Sequence, residues 1–353
     1  MSFRVIGSAL FALASSLFAF QALAASSYTV KELVVLPPAS SQVVRGLNNR
    51  GDIVGGARSP GSAHSAFVLS GTGLKKIAAL PGSDYSSARG INDAGQVVGW
   101  SNTATSISAF RWTAQTGSQP LVPLQGDNSS EAFAVNLAGQ VVGYSSGRAG
   151  LRAVLWSADG AVHDLTGLPA GIYSKAYAIN KQGDVVGTLG AASSRRAFLR
   201  TVSGGMQDLG VLPGYEESEA ADLNDARDIV GWSSGSGDAR AVLWSSGGAM
   251  HDLGALRGAQ HNRARAINAR GEVVGESGSA HESRAFIWAR GGGMQDLNAF
   301  VPAHAGFVLL EAVAINDHGV IVALGREHDH SNHDHNKHGR AAPVRVFLLT
   351  PGR

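Results

Sequence analysis

Short apolar runs recur along the chain at nearly constant spacing, each next to a glycine-bearing polar turn. One phrase sets the register: Gly46-Leu47-Asn48-Asn49-Arg50-Gly51-Asp52-Ile53-Val54-Gly55. It returns as Gly90-Ile91-Asn92-Asp93-Ala94-Gly95-Gln96-Val97-Val98-Gly99, and again around Asn136, Asn180, Asn224, Asn268 and Asn316. The first five intervals between these asparagines are 44 residues and the last is 48. Self-similarity at that period is the signature of a repeat architecture.

Each copy reads as two strands joined by a tight hairpin. The apolar residue before Asn ends the first strand, and Val-Val-Gly or Ile-Val-Gly forms the second. The glycine three residues after Asn (Gly51, Gly95, Gly139, Gly183, Gly271, Gly319) supplies the left-handed conformation a short loop needs. The Asn closes the turn by bonding its own backbone. In the fifth copy Arg227 replaces the glycine, which predicts a strained hairpin or one of another type. A third strand follows about ten residues later, as in Ala66-Phe67-Val68-Leu69, Ala109-Phe110-Arg111-Trp112 and Ala285-Phe286-Ile287-Trp288. A fourth is clearest as Gly205-Met206-Gln207-Asp208-Leu209-Gly210.

Four short strands in about 44 residues is the period of a propeller blade. The expected fold is therefore an all-β, seven-bladed β-propeller with four strands per blade. The segment from Tyr28 to Pro37 resembles a fourth strand, whereas the last strand, Val344 to Leu349, is a third. The N-terminal strand is thus expected to complete the last blade and hold the ring shut. Two residues before each Asn stand Gly46, Gly90, Ala134, Ala178, Asp222, Ala266 and Ala314. Small residues suit strands crowded around an axis, and Asp222 places a carboxylate towards the channel.

The N-terminus adds a signal-peptide pattern: Arg4, an apolar stretch from Val5 to Phe20, then Ala22-Leu23-Ala24. Residues 1–24 are read as a cleaved signal peptide and 25–353 as one exported domain, periplasmic or extracellular, monomeric and with no stable membrane anchor. The rival reading is an uncleaved anchor, but the run is short for a span. The absence of cysteine excludes disulfides and a lipoprotein anchor, and a chain this long buries a core without such staples. Charged residues are 16% of the chain, with a net charge of +2 and no Lys/Arg block, so nucleic acid is not an expected partner.

At these residues the chain resembles the HAF-repeat family of exported bacterial proteins. The resemblance rests on Ala66-Phe67, Ala109-Phe110, Ala197-Phe198 and Ala285-Phe286, on Ile91-Asn92 through Ser101, and on Met206 through Gly210. It covers nearly all of the mature chain. The histidine of the family's His-Ala-Phe signature is absent, with Ser65, Ser108, Arg196 and Arg284 in its place. The resemblance implies a secreted or periplasmic repeat protein and no particular activity.

Loops joining second to third and fourth to first strands share one face, and their variable sequence makes that face the expected binding surface for a protein or glycan. The last blade carries an insertion there at 326–340, containing His328, Asp329, His330, His333, Asp334, His335 and His338. Imidazole and carboxylate in this density suit Zn, Ni or Cu, while a solvated low-complexity loop accounts for the same composition. Trp112, Trp156, Trp244 and Trp288 end third strands, and Trp100, Trp232 and Tyr144 follow the Val-Val-Gly run. They fit either a sugar-stacking ring or packing between blades, and packing is the prior expectation.

The recurring Asp164, Asp208, Asp252 and Asp296 are expected to make turn or blade-linking hydrogen bonds, since a catalytic group is needed once. Asp222, Glu216, Glu217 and Glu219 occur singly and are the better acid–base candidates. No catalytic residue is assigned. Three functions stand: a non-enzymatic exported binding or scaffold protein, a metal-binding protein using the His-rich loop, and a hydrolase or lyase with its site in the central channel.

Overall fold

The Asn phrase folds into a three-residue hairpin in every copy. Gly51 N donates to Asn48 O at 3.1 Å and Asn48 N to Asp52 O at 3.1 Å, and the same pair of bonds recurs at Asn92, Asn136, Asn180, Asn224, Asn268 and Asn316. The turn glycines hold φ between +75° and +93°. Arg227 keeps the same turn at φ +65° and is the one non-glycine with positive φ among the described residues. The strained alternative expected for it is therefore the one realised. Residues described by this computed structural model are 28–33, 41–58, 61–103, 105–169, 171–191, 194–279, 282–302, 305–327 and 344–352.

Each hairpin is extended to a four-stranded antiparallel unit. In the third, the strands are Asp127–Val135, Val141–Gly147, Gly150–Trp156 and Val162–Asp164, in sequence order. The same order holds over 41–76, 85–120, 173–208, 217–252 and 261–296. Units five and six touch through one parallel pair, Ala239 opposite His261, which merges them formally into an eight-stranded sheet. The last unit takes Phe307–Ile315, Ile321–Glu327 and Arg345–Pro351 from the C-terminal region and Tyr28–Leu33 as its fourth strand. Tyr28 pairs with Pro351 and Leu33 with Val346. Residues 1–27, which include the stretch read as a signal peptide, and the segment 34–40 lie outside the described residues.

Every first strand is bulged at the same place, and the third unit's strand has a further irregularity between Asp127 and Ser129. The register slips between Val44 and Gly46, Ala88 and Gly90, Ala132 and Ala134, Ala176 and Ala178, Ala220 and Asp222, Ala264 and Ala266, and Ala312 and Ala314. Opposite the bulge sits the glycine of Val-Val-Gly. A Cβ on Gly143 would overlap the Glu131 carbonyl oxygen, and Gly55, Gly99, Gly187, Gly231 and Gly275 meet the equivalent oxygen. The last unit has Ala323 there, and its first strand carries a second irregularity, between Leu309 and Glu311. Close approach of neighbouring first strands explains the small residues two before Asn. At Gly90 a Cβ would come to 2.6 Å from Phe133 O and 3.1 Å from Ala134 Cα.

The core lies between units rather than inside any one of them. Val98, Ala109 and Leu121 of the second unit pack on Val135, Val141 and Trp156 of the third. Comparable clusters join each later pair of units, and another joins Val44, Ile53 and Phe67 to Val322, Val346 and Leu33. The third-strand phenylalanines Phe67, Phe110, Phe198, Phe286 and Phe347 are fully buried. Each is worth about 1.5–3 kcal/mol relative to exposure, which accounts for the Ala-Phe recurrence.

Candidate functional site

Most repeated polar residues are used up by the frame. Each hairpin Asn accepts backbone N–H groups of its own turn through Oδ1 and donates through Nδ2 to the next Asn's carbonyl. Asn48 donates to Asn92 O at 3.1 Å, Asn92 to Asn136 O at 2.8 Å, and so on to Asn316, which donates to Asn48 O at 3.1 Å. Serines make a second set of links. Ser130 Oγ accepts from Ala109 N at 3.1 Å and Ser174 Oγ from Ala153 N at 2.9 Å, each across a unit boundary. Ser145 Oγ, in the run after Val-Val-Gly, accepts from Leu124 N at 3.0 Å. These cross-links place the repeated groups in structure and leave them no free chemistry.

The recurring aspartates behave as expected. Asp208 Oδ1 accepts from Gly210 N at 2.8 Å, Asp252 Oδ1 from Gly254 N at 2.8 Å, and Asp164 and Asp296 close similar turns. Their other oxygens face third-strand arginines, in the pairs Arg152–Asp164, Arg196–Asp208, Arg240–Asp252 and Arg284–Asp296 at 3.2–3.8 Å. In the last unit Arg345 and Glu32 form the equivalent pair, because Glu32 lies opposite Phe347 as Asp208 lies opposite Phe198. Arginine thus directly precedes the Ala or Val that leads into the third-strand core and meets an acid on the fourth strand. Where Ser65 and Ser108 stand instead, the partner positions hold Lys76 and Pro120.

The bulged residues are different. A bulge re-aims the side chain of its extra residue, and here the extra residues are Arg45, Arg89, Phe133, Tyr177, Ala221, Arg265 and Val313. All seven line one central cavity of about 240 Å³, together with Glu219 and Glu311. At this position, and at the one two residues before it that supplies Glu219 and Glu311, the repeat stops repeating. The cavity is also sided. Arg265, Arg45 and Arg89 come from units six, one and two, and Phe133 and Tyr177 from units three and four.

Charge pairing in the cavity is uneven. Arg89 bonds Glu131 at 2.7 Å, and Tyr144 donates to the other oxygen of Glu131 at 3.2 Å. Arg265 lies between Glu276 and Glu311, each at 2.8 Å. Tyr177 Oη donates to Glu219 at 3.4 Å. Arg45 has neither a hydrogen bond nor an ion pair with any described residue; burial, and then the positive charge of Arg89, lower its pKa. Burial raises the Glu311 carboxyl against the opposing pull of Arg265, and it raises the Tyr177 hydroxyl, with Glu219 adding to the effect.

The sequence-predicted candidates divide as follows. Glu219 is in the cavity, Glu217 pairs with Arg195 at 3.4 Å on the surface, and Glu216 is exposed. Asp222 is used by the frame: its oxygens accept from Leu223 N at 2.9 Å and from Ile267 N of the next first strand at 3.0 Å. Although part of the residue is accessible, its carboxylate sits among packed atoms, and burial pushes its pKa up to about 7 despite both bonds. Trp112, Trp156, Trp232 and Trp244 are buried between units, as the packing reading expects. Trp100 and Trp288 are half-buried, and Trp100 stacks on Tyr85, which stacks in turn on His64 at 4.2 Å. The metal candidates His328, Asp329, His330, His333, Asp334, His335 and His338 lie outside the described residues. Among the described residues no group of three metal-binding side chains occurs, and no helix is long and apolar enough to cross a membrane. A second depression, of about 420 Å³, lies at the periphery of unit six beside Arg257, Glu282, Arg284 and Asp296. Two of its charged residues, Arg284 and Asp296, already belong to the frame's ion pairs.

Sequence reasoning missed the cavity residues apart from Glu219. The signal was present: aligning the seven copies on Asn, the position three before it reads Arg, Arg, Phe, Tyr, Ala, Arg, Val, whereas its neighbours are nearly constant.

No family model matches the chain, and no curated protein sequence matches it. Its backbone is similar to solved β-propeller-like structures. An inactive variant of virginiamycin B lyase from Staphylococcus aureus, solved with quinupristin, superposes with a TM-score of 0.58 at 10% identity, over 92% of this chain and 99% of that one. Oligogalacturonate lyase in complex with manganese gives 0.58 at 12% identity, over 93% and 94% of the two chains. YCF48 bound to D1 peptide gives 0.56 at 9% identity, over 93% and 97%. Likeness at such identities is likeness of fold: the chain is an all-β protein of β-propeller-like architecture.

Proposed function

We propose that the chain is a seven-bladed propeller closed by its N-terminal strand, and that it works as an exported binding protein whose ligand seats in the central cavity. The closure reading is supported by the pairing of Tyr28–Leu33 with Arg345–Pro351 and by the bond from Asn316 back to Asn48. The binding reading is carried by the bulged position. Evolution of a repeat keeps what the frame needs in every copy, and the residues that differ from copy to copy are those released from the frame. Here they are turned into one concave site, the usual form of a ligand pocket. Export rests on the pattern of residues 1–24.

A propeller lyase or hydrolase is the second reading. It draws on Tyr177, Glu219 and Glu311, titratable groups in the same cavity as three arginines, and on the lyases among the similar structures. One experiment separates the two. The purified mature chain is screened by thermal shift against saccharides, small acids and cyclic peptides, and each stabilising compound is recovered and identified by mass spectrometry and NMR. Binding is supported by unchanged compound and by loss of the shift in Tyr177→Ala. Altered compound, with alteration lost in Glu219→Gln, replaces it with the enzymatic reading. Stabilisation that survives Arg45→Gln and Tyr177→Ala moves the site away from the cavity.

A further inference from the structure

We infer that the central cavity takes a ligand carrying a negatively charged carboxylate on a ring, with the carboxylate at Arg45. This deepens the binding reading and rests on it. Three observations carry it. The cavity lining holds three arginines with Glu219 and Glu311, backed by Glu131 and Glu276, and Glu219 is bonded by the neutral Tyr177. Arg265 is held by Glu276 and Glu311, and Arg89 by Glu131, so the unmatched positive charge is that of Arg45. Finally, the order of the bulged residues makes the site two-sided. The arginines come from neighbouring units six, one and two around the seventh's Val313, and the rings of Phe133 and Tyr177 from units three and four.

Each feature selects a part of the ligand. A planar guanidinium with free N–H groups matches a carboxylate in two-point geometry better than it matches a spherical ion. Burial, and then the like charge of Arg89, makes the Arg45 cation costly until an anion arrives, and its pKa is lowered for the same reasons. Beside Arg89, whose guanidinium lies 5.6 Å from the Phe133 ring centroid, Phe133 and Tyr177, with centroids 5.3 Å apart, offer apolar surface to a flat ring or to the C–H face of a sugar. A cavity of about 240 Å³ is the volume of roughly eight waters at ~30 Å³ each, on the scale of one substituted ring. A polyanion is disfavoured, because Glu131, Glu276 and Glu311 already neutralise the flanking arginines.

The probes are glucuronate and benzoate, each with its neutral counterpart, glucose and benzyl alcohol. Calorimetric titration of the mature chain at low ionic strength is expected to show saturable one-to-one binding of at least one acid and none of its neutral counterpart. Arg45→Gln and Arg45→Glu are expected to weaken that binding at least tenfold with the melting temperature nearly unchanged, since the side chain makes no hydrogen bond or ion pair with any described residue. Binding of glucuronate alone identifies a sugar acid, and binding of benzoate alone an aromatic acid. Equal binding of acid and neutral probes, or Arg45 variants that bind like the parent, overturns the assignment. If glucose binds and Tyr177→Ala abolishes it while neither acid binds, the cavity stands as the binding site and the carboxylate assignment falls. If no compound of the wider screen stabilises the parent chain, both readings fall.

Discussion

Two side chains show how single residues depart from the repeat and what holds them there. Arg227 sits at φ +65°, a conformation that costs a non-glycine residue about 1 kcal/mol. Its guanidinium bonds Asp184 of the preceding unit at 2.6 Å, and that carboxylate has no accessible surface. Burial alone would raise the Asp184 carboxyl, but hydrogen bonds from Arg227, Asn180 and Val202 N hold it below the ordinary carboxylate range. Arg227→Gly should relieve the backbone and strand the carboxylate. The expected net effect is a loss of about 1–2 kcal/mol, read from urea unfolding, rather than the gain that glycine at positive φ normally brings. Because Arg227 is half-exposed, the loss should shrink in 1 M salt, and Asp184→Asn should recover much of it. Asp222 is the opposite case, a carboxyl raised from 3.8 to about 7. The fold keeps its proton where the unfolded chain has lost it. Its contribution is most favourable at and below pH 3.8 and is lost progressively as pH rises to about 7. Between pH 4 and pH 8 the parent chain should therefore lose on the order of 2–4 kcal/mol more stability than Asp222→Ala. Parallel pH profiles for the two proteins would remove the buried-carboxyl account.

At the scale of the element, the unit is one hairpin, one bulge and one donor to the next unit. Asn136 combines these roles: Oδ1 accepts Gln140 N at 3.0 Å, and Nδ2 donates to Gln140 Oε1 at 2.8 Å and to Asn180 O at 3.1 Å. Asn136→Asp keeps the acceptor and sets a second carboxylate oxygen against two other oxygens in a buried place. The expected cost is about 2–4 kcal/mol at pH 7, partly recovered at pH 4, where the acid becomes a donor. Leu137→Asp, one residue along at an exposed turn position, should change stability by less than about 0.5 kcal/mol. Denaturant midpoints of both variants check this. What the sequence revealed at this scale follows from the same facts. The hairpins, the strand order within each unit and the turn role of the aspartates were legible because each, the last unit's closing strand apart, depends on contacts within about 44 residues and is written in several copies. Bonds from Asn and Ser to the next unit were not, since a local turn explains the same residue type equally well. The cavity lay further from view. A bulge leaves no residue signature of its own except the glycine opposite, and only the bulge turns Arg45, Phe133 and Tyr177 inward.

For the whole molecule the question is what keeps a row of nearly independent units from opening. Each unit packs mainly on its neighbours, so a gap anywhere exposes one apolar cluster and the two sheet faces that share it. The row's two ends meet in the last unit, where residues from opposite ends of the sequence share a sheet. Among the described residues, the pairing of Tyr28–Leu33 with Arg345–Pro351, the Arg345–Glu32 ion pair, the cluster joining Leu33 and Val44 to Val322 and Val346, and the bonds linking Asn316 to Asn48 and Asn49 to Asp317 hold that junction. Thr29 and Thr350 are directly paired and both exposed, and the chain has no cysteine. Thr29→Cys with Thr350→Cys should thus form an intramolecular disulfide under mild oxidation, seen as a faster-migrating monomer on non-reducing gels. It would close a loop of nearly the whole chain, for which the entropic contribution reaches up to about 5 kcal/mol. The melting temperature should rise in the oxidised form and return to the parent value with reductant. If the ends do not meet, the thiols should remain free or link separate molecules. Deleting residues 1–33 probes the same junction from the other side: the strand Arg345–Pro351 would become a bare edge, so the truncated chain should melt lower and self-associate, with the loss largest in the last unit by hydrogen exchange.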